Sequence, residues 1–136
     1  MTTRPPARAQ RPVDGEYRAV AGRWRSVYDG VVLRSASAVD IDHVVPPANA
    51  WRSGARSWSR ARRERFANDR GDPELIAVSA AANRAKGDSG PQSWRPPRRA
   101  VWCLYARWWI DVKHVRRLSI TRGEKRALGT MLRTCG

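Results

Sequence analysis

VDIDHVVP, residues 39–46, decides how the rest of the chain is read. Val39, Ile41, Val44 and Val45 have the β-branched chemistry of a strand, and Pro46-Pro47 cannot continue a hydrogen-bonded ladder. Regular alternation puts Asp40 and Asp42 on one face of that strand, with Ile41 and His43 on the other. The strand therefore ends on an acid and an imidazole aimed at different places. By themselves these residues leave two readings open: a half-buried strand with a solvated acidic face, or a strand tip that does chemistry.

Working outward, WRSVYDGVVLRS (24–35) places Asp29-Gly30 between two β-prone runs, a hairpin signal. Downstream, SWSRARRERFAND (57–69) reads as a helix with Ser59 as its N-cap and a weak apolar stripe. ELIAVS (74–79) is a second short strand, and AAANRAKGD (80–88) continues as a helix of about two turns. The longest helix follows the prolines of SWRPPRRAVWCLYARWWIDVKHV (93–115), where Val101, Leu104 or Tyr105, Trp108, Val112 and Val115 recur at helical spacing. Thr121 and Glu124 have capping-box spacing and open a last helix through Ala127, Leu128, Met131 and Leu132. Residues 1–13 hold three prolines, three arginines and little to bury, so they read as a flexible basic arm ahead of one domain, 14–136. A chain of 136 residues suits one modest core.

Charge narrows the partners. Lys plus Arg number 27 against 12 Asp plus Glu, a formal net charge of +15, which favours polyanions and nucleic acid first among them. Only Lys86, Lys113 and Lys125 are lysines, so 24 of the 27 are arginines. The guanidinium fork suits phosphate because it donates two hydrogen bonds at once. The most apolar window, AVWCLYARWWIDV (100–112), is interrupted by Arg107 and Asp111 and is too short to span a bilayer, so no membrane is expected. No secretory signal is visible, which makes the cytoplasm the default location. Cys103 and Cys135 allow one disulfide and form no C-x-x-C knuckle. The seven tryptophans suit core packing better than base stacking, because Trp102, Trp108 and Trp109 lie in a periodic helix.

A strand ending in Asp-His, an insertion, a second strand and a short helix carrying Asn83 together resemble the ββα-metal, or HNH, nucleases, above all in DIDHVVP and NRAKGD. More narrowly, DIDHVVPPANAWRSGA (40–55), RRERFAND (62–69), LIAVSAAANRAKGD (75–88) and WRPPRRAVWCLYARWW (94–109) are similar to an actinobacterial HNH endonuclease family related to the C-terminal domain of GmrSD-type restriction enzymes. The resemblance runs from Asp40 to Cys135. It implies a small α+β domain of short strands and several helices, with a ββα-metal core at about 39–90. It also implies a metal-dependent endonuclease acting on DNA, leaving 5′-phosphate and 3′-hydroxyl ends, and its members are often secreted.

Residue by residue, the resemblance implies that Asp42 and Asn83 hold one divalent ion, Mg²⁺ or Mn²⁺, and that His43 is the general base. Lys86 and Arg84 would meet phosphate, and Asp40 would support the site without touching the ion. Nine residues before Asn83, the superfamily has an asparagine that braces the histidine loop; here that position is Glu74, which accepts hydrogen bonds but does not donate them. The chemistry agrees: phosphodiester hydrolysis needs an activated water on one side of phosphorus and charge stabilisation on the other. Two protein oxygens leave a hard cation open to phosphate and water. The reading from another class is a basic nucleic-acid-binding protein whose catalytic site is decayed or truncated, for which the positive charge alone would supply salt-sensitive affinity.

Overall fold

The computed structural model describes residues 23–69 and 74–136; the expected arm, residues 1–13, lies outside them. Among the described residues are two small antiparallel sheets and five α-helices, an α+β fold. The first sheet pairs β1 (Trp24–Arg25) with β2 (Val32–Leu33). Its turn is where Asp29-Gly30 placed it, and Gly30 supplies the positive φ of 74° that a side chain would resist.

The second sheet pairs β3 (Val39–His43) with β4 (Leu75–Ser79), Asp40 facing Val78, Asp42 facing Ile76 and His43 facing Leu75. Pro46-Pro47 ends β3 as expected, but it also starts an element that the sequence pattern did not announce. Pro47 is the first residue of α1 (Pro47–Arg52), where its missing N–H and preset φ favour a helix start. α2 (Arg60–Asn68) follows, with the Ser59 hydroxyl accepting from the Arg62 N–H, and Phe66 is its only buried side chain. Phe66 lies edge-on to Trp58 and under the Arg116 guanidinium, which also pairs with Asp69.

β4 runs straight into α3 (Ala80–Lys86), because Ser79 both ends the strand and caps the helix through the Ala82 N–H. The long α4 (Trp102–Arg116) and α5 (Arg122–Leu132) pack beside this ββα unit. Tyr28, Val44, Val45, Val78, Tyr105, Trp108, Trp109, Val112 and Met131 form the centre of one shared core. Tyr28 sits edge-on to both Trp94 and Tyr105, so the first hairpin is stitched to α4 by aromatic contacts. Trp94, Trp102, Trp108 and Trp109 belong to this core, as helical spacing suggested for α4.

Two details of the long helices depart from expectation. Val115, expected on the buried stripe, is 63% exposed; beyond it Arg117 adopts a left-handed cap and turns the chain so that Leu118 is buried. At Thr121 the capping box is half made: its hydroxyl accepts the Glu124 N–H. The Glu124 carboxylate turns inward, accepting from Trp109 Nε1, Asn49 Nδ2 and the buried Lys113 ammonium. Cys103 and Cys135 are joined, tying the C-terminal turn to the start of α4.

Candidate active site

Helix α3 lies on the acidic face of β3, and the two periodicities mesh. Asn83 and Lys86, three apart on the helix, meet Asp40 and Asp42, two apart on the strand. Asn83 Nδ2 donates to Asp40 Oδ2 at 2.9 Å, and the Arg84 guanidinium stands 3.6 Å from the same oxygen. The acidic face is therefore covered rather than solvated. Asp42 is only 4% exposed.

Asp42 is held on two sides. The Lys86 ammonium reaches Oδ1 at 3.1 Å and Oδ2 at 3.0 Å, and the Tyr28 hydroxyl donates to Oδ2 at 2.6 Å. Burial pushes the Asp42 carboxyl above its ordinary range and the Lys86 ammonium below its own, while each charge opposes the shift of the other. Burial, and then the Asp42 charge, hold the Tyr28 phenol well above its usual value, so it stays protonated and donates.

The expectation that Lys86 meets phosphate is corrected here. Its ammonium is buried and donates to Asp42 and to the His43 carbonyl at 2.7 Å, so it clamps the end of β3. Arg84 keeps a side chain that is 74% exposed at the cleft mouth. Glu74 does brace the histidine loop by acceptance alone: its backbone oxygen takes the Val44 N–H and its carboxylate the Val45 N–H at 2.9 Å. A buried acceptor serves where the donated bonds come from the loop itself.

His43 leaves the other face of β3, as alternation required. Its Nε2 lies 3.1 Å from the Ala67 carbonyl near the end of α2. Asp42, His43, Asn83 and Arg84, with Pro46, Pro47 and Asp88, line one open cleft of about 310 Å³. The residues singled out at the strand tip and on the helix are thus brought together; Asp40 and Lys86 stand behind them.

Which groups there could hold a cation follows from the remaining lone pairs. A carboxylate has about four acceptor positions. Tyr28 and Lys86 occupy three of those on Asp42, which leaves one on Oδ1. Asn83, tied to Asp40 by its NH₂, carries its carbonyl oxygen on the other arm of the amide. One oxygen from each fits a hard, mostly hydrated ion and not a closed cage. Among the described residues no three His, Cys, Asp or Glu side chains gather into a fuller metal cluster.

Three contributors were not legible as such in the sequence. Tyr28 precedes the Asp29-Gly30 turn but carried no sign of its contact 14 residues away. Ala67 acts through its backbone, which no side chain advertises. Ser79 reads in sequence only as the last residue of a strand, yet it caps α3, its hydroxyl donates to Asp29 and its N–H to Ser26, tying the hairpin to the ββα unit.

Residues 11–131 match the family described as GmrSD restriction endonucleases, C-terminal domain, which reaches well upstream of the Asp40–Cys135 stretch that carried the resemblance. An "Uncharacterized secreted protein" of Arthroderma benhamiae is 56% identical over 123 residues, covering 90% of this chain. The chain spans 60% of that relative's length. No solved structure matches the chain significantly.

Proposed function

We propose that this chain, which belongs to the family of GmrSD restriction endonuclease C-terminal domains, is a metal-dependent endonuclease of the ββα-metal (HNH) kind that hydrolyses DNA phosphodiester bonds. The observation that carries the reading is the shared cleft: Asp42 and His43 at the tip of one strand and Asn83 from the helix line the same space. A backbone carbonyl can only accept, so the contact with Ala67 puts the ring proton of His43 on Nε2. That leaves Nδ1 as the nitrogen that takes a proton from the attacking water. Asp42 and Asn83 are the residues that would hold the ion, Mg²⁺ or Mn²⁺. When bound, it supplies Lewis-acid polarisation of the phosphate and shields charge on the leaving oxygen. Arg84 steadies a phosphate at the mouth, where its fork is solvent-facing. Lys86 and Tyr28 fix the rotamer of Asp42, and Asp40 fixes the amide of Asn83.

The second reading, a nucleic-acid binder without catalysis, draws on one observation: the Lys86 ammonium already neutralises Asp42. Incubation with supercoiled plasmid separates the two. Nicking is expected with Mg²⁺ or Mn²⁺ and should stop in excess EDTA with no change in melting temperature, since this ion closes no structural cage. Cleavage that persists in EDTA overturns the metal mechanism. Binding without cleavage under any divalent ion transfers the protein to the second reading.

The cytoplasmic default finds no support. The relative is named a secreted protein and this chain carries a disulfide between Cys103 and Cys135, so we place the protein in an oxidising compartment outside the cytosol.

A further inference from the structure

We infer that the segment linking β3 to β4, from α1 through α2, is the surface that grips the phosphate backbone of a double-stranded nucleic acid; the inference rests on the nucleic-acid reading above. Residues 51–68 hold six arginines and a single carboxylate, Glu64, which is already paired with Arg60 at 3.5 Å. This is a surface segment: α2 buries only Phe66, so the core does not require four arginines on nine residues. Arg52, Arg56 and Arg65 are exposed, and among the described residues their side chains make no hydrogen bond or ion pair. The same segment touches the cleft, because the Ala67 carbonyl of α2 holds the His43 ring. A strand gripped here is delivered to the cleft that His43 lines.

The choice of phosphate over bases follows from how the aromatic rings are dressed. Arg62 lies over Trp58 at 4.2 Å and Arg63 over Trp51 at 5.1 Å. Trp58 is further closed by Phe66 at 5.7 Å. Trp51 stays 46% exposed, but both rings are faced by guanidinium groups where a single-strand binder would leave them open for stacking. Arg63 is itself fixed by donation to the Trp58 and Ala55 carbonyls, which stiffens the turn between the helices.

The test measures binding of a labelled DNA duplex in EDTA, so that cleavage plays no part, across a range of salt concentrations. Replacing Arg52, Arg56 and Arg65 together by Ala should lower the slope of log Kd against log salt by about 2 to 3, roughly 0.9 for each phosphate that is no longer neutralised. A control removes equal charge elsewhere: Arg107, Lys125 and Arg126, exposed on α4 and α5, are replaced by Ala and should leave the slope nearly unchanged. An unchanged slope in the first variant, or an equal fall in both, overturns the inference. So does tighter binding of a single strand of the same length than of the duplex. Plasmid nicking by the parent protein reads the nuclease proposal separately. A parent that never nicks but loses slope in the first variant keeps this surface without the enzyme; a nicking parent with an unmoved slope does the reverse.

Discussion

At the scale of single residues, the doublet Asp42-His43 divides its work by strand parity. Asp42 faces the helix and core, where Tyr28 and Lys86 hold it, and His43 faces the Ala67 carbonyl. His43→Ala should reduce plasmid cleavage by about 10² to 10⁴, the usual worth of a positioned general base. Duplex affinity and its salt dependence should hardly change, since those come from the cations. Equal nicking rates in parent and variant would remove the histidine from the mechanism. Tyr28→Phe takes away only the hydroxyl that donates to Asp42, a hydrogen bond to a charged group in the interior. It should cost about 1.5 to 3 kcal/mol in urea denaturation. A loss under about 0.5 kcal/mol would mean that Asp42 is held by Lys86 alone.

At the scale of elements, the ββα unit is built from local signals that agree with one another. The Asp29-Gly30 turn, the Ser59 cap and the β-branched runs each form where their chemistry predicts. The misses have different causes. Helix α1 escaped because a Pro-Pro pair reads as a stop, and the second proline also suits a first helical turn. Glu124 escaped because capping-box spacing says nothing about a buried tryptophan, asparagine and lysine waiting inside. The C-terminal element depends on a covalent link. Cys103 and Cys135 are 32 residues apart, and a loop of that length corresponds to about 3 to 4 kcal/mol of stability. Thermal melts with and without reductant should differ accordingly, and coincident melts would show that the bond adds nothing.

At the scale of the whole molecule, two buried ion pairs join separate elements. Lys86 with Asp42 locks α3 onto β3, and Lys113 with Glu124 locks α4 onto α5, with Asn49 of α1 attached to the same carboxylate. Burial pushes the Lys113 ammonium below its ordinary value, and the Glu124 charge opposes that shift. Glu124→Ala would leave a buried ammonium, an indole N–H and an amide without their acceptor. The expected loss is about 3 to 5 kcal/mol by chemical denaturation, with Glu124→Gln closer to the parent. If both variants unfold at the parent midpoint, the network is not what holds α1, α4 and α5 together.

The α+β class, the strands, most of the helices and the three residues that face one cleft all follow from the order of amino acids alone. The elements rest on turn, cap and alternation chemistry, which acts over a few residues and can be read in order along the chain. Asp42, His43 and Asn83 are picked out together by the resemblance to the HNH nucleases. What the charged groups touch was decided only by packing. Lys86 reads as a phosphate contact until the fold buries it against Asp42, and Glu124 reads as a cap until it meets Trp109 and Lys113. The partner of His43, a carbonyl 24 residues away that α2 brings to its ring, is nowhere marked in the pattern. A side chain's partners depend on distances that pattern does not encode. Where water is excluded, those partners set both charge state and direction.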